Sequence, residues 1–299
     1  MEIMLLVNKK FEYYAYKEGL DFRRFDKKTS QLVLISEDKS EGPRKMVPSR
    51  EYKLAPYHRI KEFCIEYMFD NFENTSNSEK KHIFLNEVIA KYRPDYIISV
   101  STSESTPESQ NNYSKNNSVN GSVFFGNRFF ARNCRDCDEK SESRLDVPTQ
   151  FDISEEIYPG FYKDLSDDDN KAIIAEGMEK VPNAPTDTLS VNANEKNISL
   201  GVINVEHHDE YAKADKKTYD DFVEANPYKD DVPVCIETTH AVVKMAAEDR
   251  FNIPVLFVSP ITDRYLKFKE DVNDEQNKVC SYNAGVVMAN LLDFISSKL

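Results

Sequence analysis

Glycine is scarce in this chain, with 8 residues in 299. Gly-rich loops commonly hold phosphate groups, because a residue without a side chain lets backbone N–H groups approach the anion closely. The sequence contains no GxGxxG, P-loop, GxSxG or HExxH motif. The scarcity of glycine counts against a site that wraps phosphate in a Gly-rich loop, and the familiar catalytic motifs are missing.

Basic residues are outnumbered by acidic ones: 39 Lys and Arg stand against 52 Asp and Glu, a net charge of −13. A nucleic-acid polymer or an anionic membrane surface needs clustered positive charge. No apolar run approaches the roughly 18–20 residues of a membrane helix. The N-terminal run Ile3–Val7 is too short for a signal-peptide core. The composition predicts a cytoplasmic protein that binds neither nucleic-acid polymers nor membranes.

The five cysteines form no disulfide framework, because their number is odd and their spacing irregular. Cys64, Cys235 and Cys280 lie in apolar periodic segments and are predicted to be reduced core residues. Cys134 and Cys137 form a CxxC without the second pair that a zinc site needs. We interpret that CxxC as an incidental pair on a surface loop, and we predict no metal and no organic cofactor.

Apolar, β-branched runs alternate with helical patterns along the chain. The predicted strands are Ile3–Val7, Leu32–Ser36, Tyr96–Val100, Ser122–Phe130, Ile198–Val205, Val234–Glu237 and Val255–Ser259. The predicted helices begin near His58, Lys81, Asp168, Thr218, His240 and Tyr282. Several strands are continuously apolar, as in the buried strands of a parallel sheet. We predict an α/β fold, a three-layer α/β/α sandwich around a largely parallel mixed sheet, in a single domain of residues 1–299.

Three polar stretches are predicted to be exposed loops: Ser36–Ser49, Ser101–Asn120 and Cys134–Asp152. The middle stretch lies between two predicted strands. Long loops that leave the carboxyl ends of parallel strands are where α/β proteins bind ligands.

Acidic residues follow three of the predicted strands. Glu12 follows the first strand, Glu237 ends another, and Asp263 follows the strand before the last helix. If these strands are parallel neighbours, the three carboxylates lie at one edge of the sheet. Burial and mutual repulsion can then raise one pKa enough to hold a proton near neutral pH, which suits general acid–base chemistry. The alternative is that each carboxylate is solvated in a loop.

The C-terminal third carries a resemblance to a known family. The stretch from Ile236-Glu237 through Asn252-Ile253-Pro254 to Ile261-Thr262-Asp263 resembles the signature of the nucleoside phosphorylase/nucleosidase superfamily, which includes the purine nucleoside phosphorylases. The opening MEIMLLVNKKFEYYA is similar to the first strand of its methylthioadenosine/S-adenosylhomocysteine nucleosidase branch. PDYIISVSTSES and NGSVFFGNRFF resemble its central strands. The order of these matches along the chain supports the resemblance.

The resemblance implies a role for each acidic residue. Glu237 would accept hydrogen bonds from the ribose hydroxyls, and Asp263 would donate a proton to N7 of a purine. Glu12 would orient or deprotonate the attacking water, and Ser103 with its neighbour Thr102 would help to position that water. Carboxylates near the sugar would stabilise the positive charge that develops as the N-glycosidic bond breaks.

Three further groups of residues bear on substrate binding. His207, His208 or Tyr211 would stack on the base; the alternative is a polar surface turn. His240 would take the place of Glu237 if the gap in the match falls elsewhere. Arg59, with His58 at a predicted helix start, would bind a nucleotide phosphate or inorganic phosphate; a helix cap with surface charge is the alternative.

One departure from the family pattern affects the nucleophile. STSES stands where GTAGG is common in the family, which favours water over phosphate or a site without activity. The leading hypothesis is a cofactor-independent nucleosidase acting on purine nucleosides or nucleotides. A phosphorylase that uses inorganic phosphate as co-substrate and a non-catalytic nucleotide sensor are the alternatives. The resemblance also implies a homo-oligomer, either a dimer or a trimer.

Overall fold

The computed structural model describes residues 1–26, 31–39, 47–54, 58–68, 78–111, 119–133, 144–145, 160–181, 189–203, 211–225 and 232–298. Within those residues there are thirteen strands: β1 Glu2–Val7, β2 Leu32–Glu37, β3 Arg50–Leu54, β4 His58–Cys64, β5 Tyr96–Val100, β6 Ser103–Ser105, β7 Val123–Gly126, β8 Arg128–Asn133, β9 Arg144–Leu145, β10 Val191–Ala193, β11 Asn197–Ile203, β12 Val232–Glu237 and β13 Val255–Asp263.

The same described residues contain nine α-helices: α1 Lys10–Asp26, α2 Ser78–Tyr92, α3 Pro107–Asn111, α4 Phe161–Ser166, α5 Asp168–Ala175, α6 Tyr211–Ala225, α7 His240–Phe251, α8 Phe268–Asp271 and α9 Asp274–Lys298. A 3₁₀ turn, Ile65–Met68, follows β4.

The strands form one mixed sheet in the order β2-β3-β4-β1-β5-β13-β6-β12-β11-β8-β9, with β7 beside β13 and β10 beside β7. Strands β4, β1, β5 and β13 run parallel in its centre, as do β12, β11 and β8. The short strand β6 joins these two groups, because it pairs parallel with β13 and antiparallel with β12. The predicted mixed α/β sheet is therefore confirmed.

Helices cover both faces of the sheet. Side chains of β1 alternate between two cores: Ile3 and Leu5 pack with helices α1 and α9, whereas Met4 and Leu6 pack with helices α2 and α7. Because both faces are dry, strands such as β5 and β13 are apolar along most of their length. This arrangement confirms the predicted three-layer sandwich.

Helices α1 and α9 approach each other at two glycines. A Cβ atom on Gly19 would lie 2.1 Å from the carbonyl oxygen of Tyr282, and one on Gly285 would lie 1.9 Å from that of Tyr16. Both distances are too short for any side chain, so glycine is what lets the two backbones meet.

We expect Gly285→Ala to lower the free energy of unfolding by about 1–3 kcal/mol, because the methyl group forces the two helices apart. The intrinsic helix preference for alanine, about 1 kcal/mol, works in the opposite direction. Urea unfolding followed by circular dichroism measures the change. Lys278→Ala, at an exposed position of the same helix, is the control and should stay within about 0.5 kcal/mol of the wild type. Equal stability of Gly285→Ala and the wild type would contradict the close contact.

Helix α9 is the one helix in the described part of the chain that is long and apolar enough to cross a membrane by length and composition alone. Its most apolar window is 72% buried inside the fold. That burial is typical of the central helix of a packed core.

The predicted helix at His58 is wrong: the residues form β4 instead. Ile60 and Phe63 satisfy a helical spacing, but here they are buried in a strand that pairs with β1 on one side and β3 on the other. The backbone pairing on both edges overrides the local pattern.

Several other boundaries also differ from the predictions. Ser122–Phe130 is two strands, β7 and β8, which pair with different partners on either side of Asn127. Helix α1, which the predictions omit, follows β1 directly. Part of the predicted exposed loop Ser101–Asn120 is buried, since β6 and the start of α3 lie in it. Most of the predicted loop Cys134–Asp152 lies outside the described residues.

Candidate active site

A cavity of about 240 Å³ opens where the carboxyl ends of β1, β5 and β13 meet β6 and β12. Five carboxylates line it: Glu12, Glu104, Asp215, Glu237 and Asp263. The three acidic residues predicted from the sequence are therefore brought together. The geometry differs from the prediction, since β12 reaches the cavity through antiparallel pairing with β6 and not as a parallel neighbour of β13.

Glu12 lies in the first turn of α1, where the chain turns back after β1. Its Oε2 accepts the backbone N–H of Lys9 at 3.0 Å, and its Oε1 accepts the hydroxyl of Thr102 at 2.5 Å. The exposed helix N–H groups favour a carboxylate at this position. Because a carboxylate has about four acceptor positions, Glu12 retains capacity to bind a water molecule.

Glu237 ends β12 and caps the N-terminus of α7. Its Oε1 accepts the backbone N–H of His240 at 2.8 Å, and its Oε2 accepts the N–H of Thr239. Burial raises the pKa of Glu237 to about 7, although these two hydrogen bonds and the charge of Lys81 act in the opposite direction. The carboxylate is held rigidly at the cavity wall and ionises near neutral pH.

Asp263 ends β13. The hydroxyl of Thr262 donates to its Oδ1 at 2.6 Å, whereas its Oδ2 is buried without a hydrogen-bond partner. Burial raises the pKa of Asp263 to about 7. A carboxyl group that holds a proton near neutral pH and has one oxygen unpartnered can donate that proton to a ligand.

Glu104 and Asp215 extend the acidic wall beside Asp263. Glu104 lies next to Asp263 in the β6–β13 register, and the N–H of Leu266 donates to its Oε1 at 2.8 Å. Burial raises the pKa of both residues, and the charges of their acidic neighbours raise it further. Neither residue was predicted from the sequence, although Glu104 directly follows the predicted Ser103.

Thr102 and Ser103 both line the cavity, but only Thr102 contacts Glu12. The hydroxyl of Ser103 donates to Ser259 Oγ at 3.0 Å, within the core. Of these two residues, Thr102 is therefore the one that is hydrogen-bonded to Glu12.

His240 does not reach the cavity, which corrects its prediction as a substrate-binding side chain. Its ring lies in the core, with Nδ1 at 2.8 Å from Ser99 Oγ and Nε2 at 2.9 Å from Ser259 Oγ. Burial lowers its pKa to about 3, so the imidazole is neutral. Only its backbone N–H takes part in the site, through Glu237.

Arg59 also lies away from the cavity. It pairs with Glu2 at the start of β1, whereas Glu12 lies beyond the other end of that strand. The side chain of Arg59 is exposed. Arg59 is therefore not part of the cavity, which corrects its prediction as a substrate-binding residue.

His207 and His208 lie outside the described residues, as do Cys134 and Cys137. Three cysteines were predicted to be reduced and buried, and that prediction is confirmed for all of them: Cys64, Cys235 and Cys280. Among the residues with described positions, no three His, Cys, Asp or Glu side chains form a group that could hold a metal ion.

The acidic cavity makes stability depend on pH. Glu104, Asp215, Glu237 and Asp263 bind protons more tightly in the folded protein than in the unfolded chain, so stability falls as the pH rises from about 4 through 8. Neutral His240 acts in the opposite direction, below about pH 6.5. We expect the free energy of unfolding to be lower at pH 8 than at pH 6 by at least about 2 kcal/mol.

Urea unfolding at pH 6 and pH 8 measures this difference. Asp263→Asn removes one of the titrating groups, so the stability of this variant should change less between the two pH values. A wild-type protein equally stable at both values would show that these carboxyls keep ordinary affinities for protons.

The sequence matches no protein-family model and no curated protein. The fold, however, is that of the nucleoside phosphorylases and nucleosidases. The structure of 5′-methylthioadenosine/S-adenosyl homocysteine nucleosidase from Campylobacter jejuni is similar over 100% of both chains, with a TM-score of 0.52 and 12% identity.

Two further solved structures have the same fold. The 5′-methylthioadenosine/S-adenosylhomocysteine nucleosidase of S. pneumoniae, solved with a transition-state inhibitor, is similar over 98% of this chain and 99% of its own, with a TM-score of 0.51 and 12% identity. Purine nucleoside phosphorylase from Toxoplasma gondii, in complex with immucillin-H, is similar over 99% of this chain and 92% of its own, with a TM-score of 0.52 and 8% identity.

Proposed function

We propose that this protein hydrolyses the N-glycosidic bond of a purine nucleoside. The observation that carries the proposal is the position of Asp263 in the cavity wall, where its carboxyl group is buried with one oxygen unpartnered and burial raises its pKa to about 7. It shares its cavity with Glu12 and Glu237, and proteins of this fold include nucleosidases and a phosphorylase acting on such compounds.

Departure of the base is the first part of the reaction. Asp263 donates its proton to N7 of the purine, so that the base leaves as a neutral molecule while the C1′–N9 electron pair moves onto it. General acid catalysis of this kind is worth about 10²–10⁴-fold in rate.

The sugar becomes positively charged as the bond breaks. Glu237 accepts hydrogen bonds from the ribose hydroxyls, and its negative charge stabilises the oxocarbenium-like sugar. The two backbone N–H groups that hold this carboxylate keep it in place before the substrate arrives.

Water completes the reaction. Glu12, fixed by Thr102 and by the N–H of Lys9, orients a water molecule and takes one of its protons as the oxygen attacks C1′. The products are free base and free ribose sugar. Glu12 then loses a proton to solvent and Asp263 regains one, which restores the starting state.

The charge of the cavity favours water over phosphate and a nucleoside over a nucleotide. Five acidic side chains line the cavity. Lys9 is the only cation among its described lining residues. A phosphate group would find a single lysine to pair with there and would lie close to the Glu12 and Glu237 carboxylates, which repel it.

Base release tests the proposal. The purified protein is incubated with purine and pyrimidine nucleosides and nucleotides, with and without phosphate, and free base is measured by chromatography. We expect release from purine nucleosides without phosphate. Release that requires phosphate would establish a phosphorylase, and tight binding without release would establish a nucleotide sensor; either result would overturn the hydrolytic proposal. The cytoplasmic location and the homo-oligomer stay predictions.

A further inference from the structure

Lys81 is a buried cation next to the candidate active site. It lies in the first turn of α2 and is 3% exposed. Burial disfavours an ammonium group, and the N-terminus of a helix disfavours positive charge as well. A lysine in such a place needs compensating interactions, and the surroundings of Lys81 provide them.

Two hydrogen bonds hold the ammonium group. Lys81 Nζ donates to Asn8 Oδ1 at 3.2 Å and to Thr239 Oγ1 at 3.1 Å. Asn8 lies between β1 and the helix that carries Glu12, and Thr239 donates its backbone N–H to Glu237. One side chain therefore joins the two turns that carry these carboxylates.

Charge links Lys81 to the same carboxylates. Burial lowers the pKa of Lys81 to about 8, and Lys9 lowers it further, whereas the negative charges of Glu237, Glu12 and Glu66 oppose the change. In return, the positive charge of Lys81 lowers the pKa of Glu237. The interaction is reciprocal, as the coupling between two charges must be.

We propose that Lys81 is a positioning residue that ties the Glu12 turn to the Glu237 turn through Asn8 and Thr239 and places a positive charge beside the carboxylate that would bind the ribose hydroxyls. The role given to Glu237 rests on the proposed function. The coupling between Lys81 and Glu237 does not, because it exists in the protein without a substrate.

The first experiment measures Glu237 directly. In protein carrying ¹³C-labelled glutamate, the carboxyl resonance is assigned with Glu237→Gln and followed against pH in the wild type, Lys81→Met and Lys80→Met. We expect Lys81→Met to raise the pKa of Glu237 by about one unit or more, a tenfold change in proton affinity. Lys80 is the exposed neighbour on the same helix, so Lys80→Met should leave the pKa of Glu237 unchanged. If the Lys81→Met protein is folded and the pKa of Glu237 is unchanged in it, the proposal is overturned.

A reciprocal measurement avoids the risk that Lys81→Met does not fold. The ¹³Cε resonance of Lys81 is titrated in the wild type and in Glu237→Gln. Loss of the negative charge should lower the pKa of Lys81, and an unchanged value would overturn the coupling.

Turnover then tests the consequence for catalysis. If the protein releases base, kcat/KM of Lys81→Met should fall about tenfold at pH 7, with the acidic limb of its pH profile moved to higher pH. An acidic limb in the same place would overturn the positioning role. If no nucleoside is cleaved, the proposed function fails, while the two titrations still decide whether Lys81 controls Glu237.

Discussion

Asp263→Asn should lower kcat for base release by about 10²–10⁴-fold. Asparagine has the shape of aspartate and can accept the Thr262 hydroxyl, but it has no acidic proton to transfer to N7. The substitution also removes a buried acidic group, so we expect folding to be retained. Single-turnover measurement of free purine base gives the rate of the chemical step directly.

The leaving group supplies a sharp control for this prediction. The leaving group of a nitrophenyl riboside is a stable nitrophenolate that needs no proton, so Asp263→Asn should cleave this substrate at a rate near that of the wild type. Asp168→Asn, an exposed helix position, should leave both substrates unaffected. If Asp263→Asn loses the nitrophenyl riboside and the purine nucleoside equally, Asp263 does not act as the acid.

The acidic residues at strand ends could be predicted because the apolar strands are visible in the sequence. Strands β1, β12 and β13 are buried nearly throughout, and such runs stand out without any knowledge of pairing. Where each strand ends, the first acidic residue is a candidate. That reasoning found Glu12, Glu237 and Asp263, although the route by which β12 reaches the cavity was not foreseen.

Glu104, Asp215 and Lys81 could not be found in the same way. Each belongs to a segment that is polar in sequence and becomes buried only through tertiary packing. Asp215 lies in a helix with many charged residues, and its contact with Glu104 joins positions more than a hundred residues apart. Local pattern carries no information about such a contact.

No glycine lines the cavity among its described residues. Gly19 and Gly285 instead let α1 pack closely against α9. Because α1 also carries Glu12 in its first turn, this helix contact helps to fix the proposed nucleophile site.

Glu12→Gln should lower kcat for hydrolysis by about 10²–10⁴-fold, because glutamine cannot take the proton of the attacking water. Glutamine retains one oxygen to accept the Thr102 hydroxyl, so the local geometry should survive. Glu18→Gln, two turns further along the same helix and exposed, is the matched control and should retain wild-type activity.

A nucleophile that needs no deprotonation separates this role from that of Asp263. Azide should restore base release in Glu12→Gln, with formation of a C1′–azide bond as the protonated base departs, since the variant has also lost a repelling charge. Azide should not rescue Asp263→Asn, because the base still leaves without a proton. Rescue of both variants, or of neither, would contradict the division of labour between a water-activating Glu12 and a proton-donating Asp263.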